Sequence, residues 1–99
     1  MIYVRSVVID ERVDEKLWAK HRVMDFEVHE VFDNRPHIEW RERGKVIANE
    51  DVYTAWGRTE SGRYLIVFFI YKKSIQEAFV LSARDMNKSE RRFYAQVKR

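Results

Sequence analysis

The stretch that most constrains this chain is Tyr64-Leu-Ile-Val-Phe-Phe-Ile-Tyr71, eight apolar or aromatic residues with no charge among them. Arg63 precedes it and Lys72-Lys73 follows. The run is rich in β-branched and aromatic side chains, and it reads as a strand buried on both faces. It is far too short to span a bilayer. Such a strand needs partners along its edges, and the rest of the chain must cover its faces.

The partners are legible on both sides. Val52 to Arg58 forms one strand, and Glu60-Ser61-Gly62 makes a hairpin turn into the central run. Lys72-Lys73-Ser74 is a second hairpin turn. Ile75 to Ala83 is then the last strand, with Ile75, Phe79, Leu81 and Ala83 in phase and Glu77 the exception. His37 to Glu42 alternates, Ile38 and Trp40 on one side and Glu39 and Arg41 on the other, as a half-buried strand does. Arg43-Gly44-Lys45 is its turn. Ile2 to Ile9, rich in β-branched residues, is a further strand at the start.

Helical periodicity appears in three places. From Asp10 or Glu11 to Lys20, Val13, Leu17 and His21 recur every four residues and share a face. Acidic residues fall early there and basic ones late, which suits the helix dipole. Asp25 is the expected N-cap of a second helix, Phe26 to Phe32, with Val28, Val31 and Phe32 as its apolar stripe. Asn34 and Pro36 end it. Asn87 and Glu90 have the spacing of a capping box and open a third helix that runs to about Val97, with Phe93 and Val97 facing the sheet and Tyr94 beside them. The fold class is therefore α+β: a mostly antiparallel sheet of four to five strands, two N-terminal helices and one C-terminal helix, in a single domain over residues 1–99.

Composition narrows the function. Hydrophobic residues make up 45% of the chain and aromatic residues 14%, which excludes a disordered chain. The net charge of +3 permits a nucleic-acid partner without demanding one. It is concentrated at the C-terminus, where residues 83–99 carry a net +4 and the remainder is nearly neutral. Cysteine is absent, so disulfides and thiolate metal sites are excluded. His21, His29 and His37 lack metal-ligand spacing, and no metal or cofactor is expected. With no signal-peptide pattern at the start, the expected location is the cytoplasm.

Three groups of residues together resemble the BrnT family of type II toxins. The first is Glu15-Lys16, Lys20-His21, Phe26-Glu27 and Glu30-Val31-Phe32. The second is Glu50-Asp51, Ala55-Trp56-Gly57-Arg58 and Gly62-Arg63-Tyr64-Leu65-Ile66-Val67. The third is Ser82-Ala83-Arg84-Asp85-Met86, Glu90-Arg91-Arg92 and Tyr94. The resemblance covers roughly residues 10 to 95. Arg22 stands where the family pattern has a glycine after Lys-His. The resemblance implies a RelE-like ribonuclease fold, an RNA substrate, cleavage that blocks translation, and a BrnA-like antitoxin with a ribbon-helix-helix DNA-binding domain.

Metal-free RNA cleavage needs a base for the ribose 2′-hydroxyl, cations for the charge on the phosphate and an acid for the leaving oxygen. Arg58 and Arg84 are the candidate phosphate clamps. Lys20 is a compact charge for the same site, and His21 the acid–base candidate because it titrates near neutrality. Tyr94 is placed to stack on a base or assist proton transfer. Lys16 and Arg91 extend the RNA-binding surface. Plainer roles stand beside these: a helix-end packing or capping role for His21, solvated dipole partners for Lys16 and Lys20, an ion pair with Asp85 or Glu90 for Arg84, surface solvation for Arg58, and a core position for Tyr94. If the site is single, Arg58 and Arg84 meet Lys20 and His21 on one face. The competing functions are a non-catalytic nucleic-acid or protein interaction module and a degenerate toxin kept for autoregulation. Self-association through an exposed sheet edge is a further expectation.

Overall fold

The computed structural model describes residues 2–44 and 50–98. The order is β1 (Ser6–Val8), α1 (Glu11–His21), α2 (Asp25–Asp33), β2 (His37–Glu42), β3 (Val52–Arg58), β4 (Tyr64–Lys72), β5 (Glu77–Asp85) and α3 (Lys88–Val97). The five strands form one sheet in the order β1-β5-β4-β3-β2. Every pair is antiparallel except β1 with β5, which is parallel. The α+β expectation holds, with one parallel pair added.

The apolar run is the central strand. Leu65, Val67 and Phe69 are fully buried on one face, where α1 and α2 supply Leu17, Val28 and Val31. The Phe32 ring meets Phe69 edge-on at 5.3 Å, and Tyr53 stacks on it at 5.9 Å. Helix α2 lies so close to β3 that a Cβ on Gly57 would sit 3.0 Å from Val31 Cγ1. A side chain there would require Val31 to shift by a few tenths of an ångström. Ile66, on the other face, is buried with Met86 and Tyr94 beneath α3. The sheet thus has two unequal covers.

Four local expectations are corrected. The first strand is only Ser6–Val8 rather than Ile2 to Ile9; Ile2 and Val4 instead pack against the main core. The N-cap of α2 is Met24, not Asp25, and its N–H donates to Glu27 Oε1 at 3.0 Å, so a carboxylate one turn on caps the helix. The last strand starts at Glu77, and its phase changes midway. Phe68 pairs with Ser82 but Phe69 with Val80, which leaves Leu81 as the extra residue of a bulge. Ala78, Val80 and Ala83 are therefore buried, while Leu81 is 44% exposed and Ile75 lies exposed in the turn. On α3, Tyr94 is the side chain buried against the sheet; Phe93 lies at the margin, edge-on to Trp56. The Arg43–Lys45 turn lies partly outside the described residues.

Arg22 has a left-handed backbone, φ 53°, at the C-cap of α1. That conformation favours glycine. The Arg22 side chain lies over Trp18, 5.1 Å from the ring centre.

One arginine joins the layers. Arg63, at the mouth of β4, donates to both carboxylate oxygens of Asp85 at 2.8 and 2.9 Å. It also donates to Glu27 Oε1 at 3.1 Å and to the carbonyls of Arg22 and His21 at 2.8 and 2.9 Å. Asp85 is held below the usual carboxylate range by the Arg63 hydrogen bond. Replacing Arg63 by methionine strands the buried Glu27 carboxylate and frees the end of α1. Urea unfolding should show a loss of about 2–4 kcal/mol. Adding Glu27→Gln to that variant should recover part of it, and a loss under about 1 kcal/mol would show that the arginine is peripheral.

Candidate nucleic-acid interface

The second face of the sheet carries the basic chemistry. Arg58 pairs with Tyr64 across β3 and β4, and Arg84 pairs with Ile66 across β4 and β5. The two-residue period of a strand turns both arginines to the side covered by α3. That helix is pinned at its start by reciprocal bonds: Glu90 N–H donates to Asn87 Oδ1 at 2.9 Å, and Asn87 N–H donates to Glu90 Oε1 at 2.8 Å. The expected capping box is present.

Glu90 has a second role. Its two carboxylate oxygens accept from Nη1 and Nη2 of Arg84, both at 2.8 Å. The bidentate pair lowers the Glu90 pKa from 4.5 to about 2, with the Asn87 N–H and the nearby Arg41 acting in the same direction. Arg84 is raised in turn, chiefly by the same hydrogen bonds. Its guanidinium is thus engaged by an acid, which matches the plainer of the two roles its sequence position allowed.

Beyond Glu90, α3 presents Arg91, Tyr94 and Lys98 at helical spacing along one side. With Arg58, Tyr64 and Arg92 they line an open groove of about 470 Å³. Arg58 and Arg91 both lie over the Tyr64 ring, their guanidinium carbons 4.9 and 4.3 Å from its centre. Among the described residues neither forms an ion pair. Each keeps N–H donors for a ligand while the ring fixes its plane. The Tyr94 ring is 6.0 Å from that of Tyr64. Burial pushes the Tyr94 phenol up; Arg58 pulls it partly back and Tyr64 adds to the rise. The hydroxyl therefore stays protonated at neutral pH and is a donor.

The remaining candidates lie elsewhere. Lys16, Lys20 and His21 line a small cavity of about 240 Å³ with Leu17, Leu81 and Ser82, where α1 packs on β5. Helix α1 covers the first face through Leu17, whereas Arg58 and Arg84 belong to the second. The structure thus brings Arg58, Arg91 and Tyr94 together, brings Lys16, Lys20 and His21 together, and keeps the two groups on different sides of the sheet. Among the described residues no hydrogen bond or ion pair joins Arg58 or Arg84 to Lys20 or His21. Sequence reading overlooked Tyr64, Arg92 and Lys98; the spacing of Lys98 from Arg91 and Tyr94 was the signal that could have found it. Among the described residues, no group of three or more His, Cys, Asp or Glu side chains is placed to hold a metal.

The Glu90 pair has a pH signature. A carboxylate with a depressed folded pKa stabilises the fold above its unfolded pKa, and the contribution is lost as the pH falls through the folded value. Stability from this pair should therefore be complete above about pH 4.5 and decline towards pH 2. Glu90→Gln should flatten the difference between unfolding curves over that window. Parallel wild-type and variant curves from pH 5 to about 2 would mean that the pair is solvated.

No helix among the described residues is long and apolar enough to cross a membrane. A search of curated proteins finds no match to the chain. A family model does match: residues 10–90 fit that of the ribonuclease toxin BrnT of type II toxin–antitoxin systems. That span includes both helices of the first layer, the four antiparallel strands, Arg63, and the Arg84–Glu90 pair. The chain belongs to the BrnT family of ribonuclease toxins of type II toxin–antitoxin systems.

Proposed function

We propose that the protein stops translation by cutting RNA without a metal, and that it cuts in the groove between α3 and the end of the β3–β4 hairpin. One observation carries this reading: Arg58 and Arg91 lie on Tyr64 without acidic partners among the described residues, beside the protonated Tyr94 hydroxyl. Two planar guanidinium groups with free donors suit a phosphodiester.

The step follows from those groups. The ribose 2′-oxygen attacks the adjacent phosphorus, and its proton passes to water. Arg58 and Arg91 stabilise the charge that builds on the non-bridging oxygens. The bond from phosphorus to the 5′-oxygen breaks, and Tyr94 gives its proton to that oxygen. The products are a 2′,3′-cyclic phosphate and a 5′-hydroxyl. Tyr94 then regains a proton from water, its transient phenolate stabilised by Arg58. Arg84 acts as a positioning residue through Glu90. Lys16 and Lys20 form a second contact for the RNA backbone, with His21 beside them.

The family carries an antitoxin partner. We propose a ribbon-helix-helix antitoxin of the BrnA type. Self-association through the outer edge of β2 is the weaker proposal. That edge is interrupted by a bulge between Trp40 and Glu42 and carries Glu39 and Arg41, features that discourage strand pairing.

Purified protein incubated with cellular RNA should give cyclic-phosphate ends equally with and without a chelator. Tyr94→Phe and Arg58→Ala should each lower kcat by about 100-fold and relieve growth arrest on induction. Lys20→Ala with His21→Ala should mainly weaken RNA binding and its salt dependence. If that double variant abolishes cleavage while Arg58→Ala does not, the α1 cavity is the active site. Salt-sensitive RNA binding without any product would identify a non-catalytic module.

A further inference from the structure

Helix α3 covers only one end of the second sheet face. Towards the other end, Phe68, Ile70 and Phe79 stand half-buried on β4 and β5, and Ile70 and Phe79 belong to neither core cluster among the described residues. Cations lie over the rings. Arg41 and Arg84 reach Phe68 with guanidinium carbons 5.2 and 5.7 Å from its centre, and Lys72 Nζ is 4.7 Å from that of Phe79. The result is an apolar strip with a positive border on either side.

The acids of this face are mostly engaged. Glu39 is bonded to His37 at 3.0 Å, Glu77 accepts from the Ser6 hydroxyl at 2.8 Å, and Glu90 holds Arg84. Glu42 stands exposed at the strand end beyond the bulge. Arg41 and Lys72, by contrast, have aromatic rings for partners and make no ion pair among the described residues. Their outward N–H groups are left for a carboxylate.

We infer that this strip is the docking surface for the antitoxin, and that it takes an amphipathic segment with apolar residues along Phe68, Ile70 and Phe79 and carboxylates meeting Arg41 and Lys72. Half-buried aromatic and aliphatic side chains suit the core of an interface, and the basic residues beside them suit its polar rim. RNA fits less well, because the ring faces on which bases would stack are already occupied by cations, and Ile70 offers no such face. The inference rests on the partner that membership of a type II family brings; it does not depend on where RNA is cut. It also separates the roles of the one sheet face: cleavage in the groove beyond α3, neutralisation on the strip below it.

The test uses the whole chain and a ribbon-helix-helix protein of the BrnA type as the probe antitoxin, with binding measured by calorimetry and RNA cleavage measured separately. Arg41→Glu with Lys72→Glu should weaken antitoxin binding by about 30-fold or more; Lys72→Glu alone, at a residue with no contact to the Arg84–Glu90 pair, should weaken it in the same direction and change cleavage by no more than about twofold. Circular dichroism and a melting curve check the fold; Arg41→Gln with Lys72→Gln, expected to give a smaller loss in the same direction, replaces the reversal if it unfolds. Antitoxin binding within about threefold of wild type would overturn the assignment. So would lost RNA affinity with antitoxin affinity intact, which would make the strip an RNA surface. Absence of binding to wild-type toxin would overturn it too. Failure of the cleavage reading appears only in the second assay, since binding is measured without it.

Discussion

Arg63 sits where α1 ends, α2 begins and β5 finishes, and it spends all of its side-chain nitrogens on them. The arrangement follows from a topological problem. Two helices must be laid over a sheet four of whose five strands come later in the chain, and the turn between the helices leaves carbonyls of the α1 end without helical partners. A guanidinium satisfies two of those carbonyls and two carboxylates at once because its donors form a rigid fork. Glu27 shows the economy of the arrangement: one carboxylate caps α2 through Met24 N–H and also neutralises Arg63. The left-handed turn at Arg22 is the local conformation that brings the α1 carbonyls within reach.

The same principle recurs on the opposite face with different residues. Glu90 caps α3 and clamps Arg84, so the last helix is tied to β5 by the residue that starts it. Helix α3 is thereby held across one end of the sheet, with Tyr94 beneath it and Arg91 over Tyr64. Two arginines from the strands on either side of β4 meet opposite fates on this face. Arg84 is consumed by an acid, while Arg58 rests on an aromatic ring and keeps its donors. Chemical opportunity follows from that difference more than from charge alone.

Much of the fold was legible because its signals are local. Val52 to Arg58 was read with its observed limits, since alternation and a following turn define it. The capping box at Asn87 and Glu90 was read correctly because both partners lie within one turn. The readings that failed involve partners far along the chain. Period two continued through the strand puts Leu81 in phase with Phe79 and Ala83, but a bulge against Phe68 and Phe69 resets the phase. Asp25 resembled an N-cap, yet Glu27 caps α2 while also holding Arg63. Part of the candidate site was legible in the same sense: Arg58, Arg91 and Tyr94 were named and do share a groove. Their separation from Lys20 and His21 was not, because nothing in the sequence states on which face a helix will lie.

By itself, then, the sequence determined the element types, the central buried strand, the α+β class and the family to which the chain belongs. These rest on periodicity, turn chemistry and ordered motifs, all of which are written along the chain. Only the tertiary structure decided which cations are free. A guanidinium becomes available for a phosphate, or is silenced by a carboxylate, according to neighbours tens of residues away and the face of the sheet on which it emerges. The hydrophobic run from Tyr64 to Tyr71 shows both sides of this. Its composition dictated a buried strand, but only packing divided its residues between two faces and made Tyr64, at its very start, the ring on which Arg58 and Arg91 lie.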